Sequence, residues 1–177
     1  GTTVGGHRKK FFDWLYSSGL DANGGTPNRN AINKVGQYFQ RADDSGPWGD
    51  APDGTSTSIA QVGSTNSKHA SCRRSYAMLM TDGYYNSEGT LKVDDHDTTQ
   101  GDKITSSSGS TYQYKPIGPF SDTISNTPRA NTLADIAMKF YGTDLRPNVD
   151  GKNLRNDVKP IPGDEAFWQH MNFYAYC

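Results

Sequence analysis

The sequence predicts an α/β fold, a parallel sheet flanked by helices and interrupted by long loop insertions. Three observations predict it. The first is the apolar run Tyr76-Ala77-Met78-Leu79-Met80, closed by Thr81-Asp82-Gly83. A run this short, stopped by a turn residue, reads as a strand over 75–81 buried on both faces of a parallel sheet. The second is the face made by Leu133, Ile136, Ala137 and Phe140, which predicts a helix over 133–141 capped by Asn131 or Thr132 and ended by Gly142. The third is Ile32, Val35, Gly36 and Phe39 at i, i+3, i+4 and i+7, which predicts a helix from Pro27 to about Gln40.

Taken in order, the chain opens with helical spacing from Arg8 to Ser18. There Phe11 and Leu15 fall one turn apart, as do Phe12 and Tyr16, and Gly19 supplies the stop. Gly24-Gly25-Thr26-Pro27 is a flexible loop in which Thr26 caps the next helix and Pro27 fills its first position. Residues 41–71 lack periodicity and read as an insertion, with a short strand near Ser58–Val62. A polar excursion follows the 75–81 strand and fills a second insertion over about 84–131, with a Ser/Thr tract at 105–111 and a Tyr/Pro segment at 112–120. Loops this long are often functional surface insertions. A short helix is expected around Glu165–His170, then a strand over Met171–Cys177. A pair of central strands is too few for an independent sheet. Residues 1–177 are therefore expected to be the later part of a single α/β domain whose first strands lie upstream.

Bulk properties exclude several classes. The charge balance is 18 basic against 19 acidic residues, net −1, and Arg8-Lys9-Lys10 is too short a run to bind nucleic acid. No stretch approaches the roughly 20 apolar residues of a membrane span. A hydrophobic fraction of 33% with 10 Tyr and 19 Gly, and a mean hydropathy of −0.80, suit a polar, loop-rich, exported surface protein. No apolar signal core heads the chain, so an export signal is expected upstream or already removed. Cys72 and Cys177 are too few for a disulfide scaffold or a four-cysteine zinc site. If the strands at Ser75–Thr81 and Met171–Tyr176 are parallel neighbours, Cys72 and Cys177 would sit on the order of 20 Å apart, beyond the reach of about 7 Å that a disulfide allows.

Ligands of open parallel sheets bind at the carboxyl ends of the strands, where Asp82 stands. A hydroxyl from Thr26 beside that carboxylate suggests a hard, oxygen-liganded divalent cation. Turn capping by Asp82 is the competing reading. Asp94-Asp95-His96-Asp97 with Gly101-Asp102 invites a calcium-loop reading, but no Glu closes the twelfth position, and a solvated acidic loop is preferred. His170, beside Trp168 and Met171, is expected to be a satisfied, partly buried residue, while His7, His69 and His96 lie in polar loops and form no ligand pair. No nucleophile–base pair is evident, so no catalytic residue is assigned and the chain reads as a non-enzyme.

The run from Cys72 to Asn86, CRRSYAMLMTDGYYN, resembles the von Willebrand factor A-like (Rossmann-like) domain of type IV pilus tip-associated adhesins, the PilY/PilC family. Supporting stretches stand in order: Gly25-Thr26-Pro27 with Val35–Phe39, Pro119-Phe120-Ser121-Asp122, Asn131–Tyr141 with Thr143-Asp144-Leu145-Arg146-Pro147, and Trp168–Met171. The resemblance covers most of the chain from about residue 8. It implies a metal-ion-dependent adhesion site (MIDAS) assembled from an Asp-x-Ser-x-Ser loop, a Thr and a strand-end Asp. Thr26 and Asp82 match the second and third parts. The first does not occur in these 177 residues and is expected upstream.

The resemblance further implies adhesion at the cell surface, pilus assembly and twitching motility, with Mg²⁺ or Ca²⁺ bridging to an acidic ligand and Tyr84 and Tyr85 beside it. Implied partners are minor pilins or other tip proteins, a host-cell or surface ligand, and the upstream part of the same protein. Its implied location is extracellular, at the pilus tip and in association with the outer membrane. A metal-free assembly module is the alternative, and a metal-dependent hydrolase using Asp82 the least favoured one.

Overall fold

The computed structural model describes residues 9–10, 12–13, 25–43, 46–48, 71–81, 84, 86, 91–122, 127–147 and 154–176. Among them the elements run α1 (Asn28–Phe39), β1 (Ser75–Met80), β2 (Lys103–Thr105), β3 (Thr111–Gln113), α2 (Leu133–Gly142) and β4 (Met171–Tyr176). The architecture is α/β. β1 and β4 pair in parallel, from Ser75 opposite Met171 to Met80 opposite Tyr176. The ladder continues one step further, where the Thr81 N–H donates to the Tyr176 carbonyl at 3.1 Å.

Both long helices cover one face of this sheet. α1 packs on β1 and on α2, and α2 packs on β4. Ile32, Ala77, Leu79, Ile136, Phe140 and Met171 form the core beneath them, joined by Val93 and Leu145 from the loops. Complete burial of Ile136 and Phe140 is worth about 1.5–3 kcal/mol for each side chain. Gly36 is required here: a Cβ built on it would lie 2.3 Å from two ring carbons of Phe140.

The expectation of a strand buried on both faces is corrected. β1 alternates buried and exposed residues. Met78 and Met80 are 70% and 72% exposed, and Tyr76 pairs with Tyr174 on the same open face, ring centroids 6.3 Å apart. The outward residues are apolar too, so no polar alternation marked the open side. Two further corrections concern the loops. The Ser/Thr tract is the turn of a β2–β3 hairpin, in which Ile104 pairs with Tyr112, closed by the Ser106 N–H donating to the Ser110 carbonyl at 2.8 Å. Residues 165–170 form no helix. Their backbone groups bond to neighbouring loops, as when Val158 N–H donates to the Phe167 carbonyl and Leu145 N–H to that of Gln169. Trp168, Gln169 and His170 are all buried in succession, a pattern no surface helix gives. Trp168 stacks on Tyr112 at 4.3 Å, and with Ile104 and Ala166 it centres a second small core under the hairpin.

Of the amino-terminal helix, residues 9–10 and 12–13 are helical, with Lys9 Nζ 2.5 Å from Asp13 Oδ2. The rest of that helix and the expected strand at 58–62 lie outside the described residues. α2 begins as expected, with Thr132 and Asp135 forming a reciprocal capping box.

Candidate functional site

The loop before α1 and the end of β1 meet at the carboxyl edge of the sheet. Asn28, buried in the first turn of α1, donates through Nδ2 to Thr81 Oγ1 at 3.3 Å. Thr26 is held through its backbone: its N–H donates to Asn86 Oδ1 at 2.8 Å, and its carbonyl accepts from the Asn86 N–H at 3.0 Å. The edge is thus strapped from both sides, Thr26 to the loop after β1 and Asn28 to the last residue of the ladder.

Thr26 does not cap the helix. The cap position is Pro27, one residue later than expected, and no side chain caps the amino end. The Pro27 carbonyl accepts the first helical bond, from the Ala31 N–H at 2.9 Å. The half-buried Thr26 hydroxyl is left without a hydrogen-bond partner among the described residues. A hydroxyl oxygen at a strand edge suits a hard cation. Tyr84 is 98% exposed, so its ring does no packing work and stands open beside the strap. Asp82 and Tyr85 lie outside the described residues.

The acidic stretch departs from the solvated loop expected. Asp94 is exposed, but Asp97 is only 2% exposed. Its Oδ2 accepts from the Asp122 N–H at 2.6 Å, a partner 25 residues downstream that sequence spacing did not reveal. Burial pushes the Asp97 carboxyl up to about 6; the Asp122 amide opposes this, and the neighbouring Asp135 and Asp95 carboxyls add to it. Thr98 holds Asp95 below the usual range. Behind the loop stands Asp135, fully buried in the first turn of α2. Its Oδ2 accepts from Thr132 N–H and Oγ1–H, each at 2.8 Å, and its Oδ1 from His96 N–H at 2.9 Å and, more weakly, Asp97 N–H at 3.4 Å.

His170 is structural, as expected. It is 1% exposed, and the Trp168 carbonyl accepts from Nδ1 at 2.6 Å. Its Nε2 faces Asp164, which also receives Arg74 Nη1 at 2.7 Å and Asn172 Nδ2 at 3.0 Å. This knot joins the entry to β1, the 161–164 turn and the start of β4. Cys72 is exposed and in no disulfide, and Cys177 lies outside the described residues. A cavity of about 790 Å³ opens between the Tyr112–Phe120 segment, α2 and β4. Its walls are mostly apolar, and neither Thr26, Thr81 nor Tyr84 contributes to it.

No helix among the described residues is long and apolar enough to cross a membrane. No family model and no solved structure matches the chain. Curated proteins do. Type IV pilus biogenesis factor PilY1 of Pseudomonas aeruginosa strain PAK is 32% identical over 188 residues, spanning 97% of this chain and 14% of the relative's length. The same-named protein of strain PAO1 gives the same identity and coverage, and that of strain UCBPP-PA14 is 31% identical over 93% of this chain and 13% of its own length. The chain therefore spans about one seventh of the relatives it matches. With the likeness running across nearly all of its sequence, the chain belongs to the PilY family.

Proposed function

We propose that this segment acts in type IV pilus biogenesis, as part of a von Willebrand factor A-like domain that recognises its ligand through a bound cation at the pilus tip. The similarity to proteins named for type IV pilus biogenesis supports the pilus role. One observation supports the recognition site: Thr26 and Thr81, the residue before Asp82, are strapped to the same sheet edge through Asn86 and Asn28. Asp82, the Thr26 hydroxyl and a loop from upstream would hold Mg²⁺ or Ca²⁺. One coordination position would remain for a carboxylate of a minor pilin, another tip protein or a host surface. Tyr84 and Tyr85 would flank that ligand. In this reading the protein is exported, supports adhesion and twitching motility, and is not an enzyme.

The test is calorimetric titration of Mg²⁺ and Ca²⁺ into a protein extended upstream through the first strand, beside its Asp82→Ala variant. A binding event present in the parent and lost in the variant is the expected result. Identical titrations in both would overturn the cation at this edge. A metal-free assembly module would then be the better reading, with the Thr26–Asn86 strap serving only to hold the loop before α1 to the loop after β1.

A further inference from the structure

We propose that Asp95, Asp97 and Asp122 form a calcium site, separate from the sheet edge, that ties the insertion to the amino end of α2. Each of the three carboxylates offers an oxygen within 4.8 Å of the others. Oxygens bound 2.3–2.6 Å from one Ca²⁺ are at most about 5 Å apart, so the three fit a single coordination shell. Among the described residues no Lys, Arg or His makes an ion pair with any of them.

The decisive observation is how their oxygens are used. One oxygen of each already accepts from a backbone N–H: Asp95 Oδ1 from Thr98 at 3.3 Å, Asp97 Oδ2 from Asp122 at 2.6 Å, and Asp122 Oδ2 from Arg129 at 2.7 Å. The remaining oxygens of Asp97 and Asp122, both Oδ1, are buried and accept nothing from the described residues. A buried carboxylate oxygen without a donor is expensive, and a nearby like charge makes it more so. A cation removes both costs at once. Asp97 and Asp122 thus each shape the loop with one oxygen and keep the other unpaired, and Asp95 brings a third carboxylate within reach of both. Asp135 is the positioning residue behind them, since its Oδ1 fixes the amides of His96 and Asp97.

Calcium fits this set better than the other common ions. Among the described residues no thiolate or imidazole joins the cluster, which disfavours zinc. The ligands come from an irregular loop and a turn 25 residues away. Calcium tolerates such irregularity, whereas Mg²⁺ demands near-ideal octahedral geometry.

The experiment is calorimetric titration of Ca²⁺ into the full-length protein, its Asp97→Asn, Asp122→Asn and Asp82→Ala variants, with Mg²⁺ titrated in parallel. The expected result is one Ca²⁺ equivalent lost, or bound at least about tenfold more weakly, in both Asn variants and retained in Asp82→Ala. Equal stoichiometry and affinity in the parent and the Asn variants would overturn the site, and tighter binding of Mg²⁺ than of Ca²⁺ there would overturn its assignment to calcium. Circular dichroism checks that each variant is folded, and the half-buried Asp122 decides the matter if Asp97→Asn is not. The Asp82→Ala arm reports on the sheet edge alone, so the two sites fail independently.

Discussion

Replacing Asp135 by alanine should be among the most damaging single changes in this chain, although the residue lies in no proposed ligand shell. Asp135 is fully buried and its two oxygens accept from four donors, two on Thr132 and the amides of His96 and Asp97. Loss of its half of the capping box costs about 1 kcal/mol. Leaving the His96 and Asp97 amides unpaired adds about 1–3 kcal/mol for the better of the two bonds and less for the 3.4 Å one. Relief of repulsion on Asp97 offsets part of this. The sum is about 3 kcal/mol, a large share of the 5–15 kcal/mol typical of a domain. Urea denaturation of the full-length protein, followed by far-UV circular dichroism, reads it directly. Asp135→Asn should fall between, because an amide has a single acceptor oxygen and must turn its NH₂ toward one of the two donor groups. A loss below about 1 kcal/mol for the alanine variant would show that the carboxylate does not anchor the loop, and the account of Asp135 as positioning residue would fail with it.

Gly36→Ala gains about 1 kcal/mol of helix propensity but drives a Cβ to 2.3 Å from the buried Phe140 ring, an overpacking that costs about 1–3 kcal/mol. A net loss of about 1 kcal/mol or more is expected, and a variant as stable as the parent would mean that α1 and α2 pack loosely. Burial alone would raise the Asp164 carboxyl, but hydrogen bonds from Asn172 and His170 outweigh it and hold it below the usual range. The sign follows: a depressed carboxylate contributes stability above about pH 4 that is lost as pH falls through the lowered value. Asp164→Asn should therefore flatten the acid limb of an unfolding profile, and an unchanged limb would count against the Arg74–Asp164–His170 knot. Asn86→Ala removes the acceptor of the Thr26 N–H. Amide hydrogen exchange at Thr26 should quicken while the core amides of β1 stay protected; unchanged exchange at Thr26 would refute the strap.

The elements were legible where apolar periodicity and caps agreed. Ile32, Val35, Gly36 and Phe39 gave α1 to within a residue, and the Leu133–Phe140 face gave α2 together with its Thr132 cap. The parallel pairing of β1 with β4 agrees with the parallel sheet expected, although the sequence offered their adjacency only as a condition. What failed shares a cause. β1 carries Tyr and Met outward and Ala and Leu inward, so hydrophobicity could not tell a covered face from an open one. Thr26-Pro27 looks like a cap pair, yet the Pro27 carbonyl takes the first helical bond and the Thr26 backbone bonds across to Asn86. That partner is 60 residues away, and no local rule reaches so far. The acidic cluster was half legible. Asp95 and Asp97 stand two apart in the sequence, but Asp122 enters through a backbone bond across the insertion, and the calcium-loop template expects its closing ligand close by.

The insertion and the sheet edge are not independent pieces of surface. Asn131 sits at φ 66°, in the left-handed region that asparagine tolerates better than most residues. Its side-chain oxygen accepts from the Val93 N–H, and its own N–H donates to the Asp94 carbonyl at 3.3 Å. Its carbonyl accepts from Arg29 Nη1 at 2.7 Å. One residue thus joins the start of the acidic loop, the cap of α2 and the first turn of α1, three positions along from Thr26. Val93 is itself buried in the main core. The base of the loop is therefore fixed by hydrogen bonds and apolar packing that need no ion, and only its acidic centre, where Asp97 and Asp122 each keep one oxygen unpaired, is left for a cation to complete. A site built this way starts from a base already in place, so the ordering that binding must impose is confined to the acidic centre.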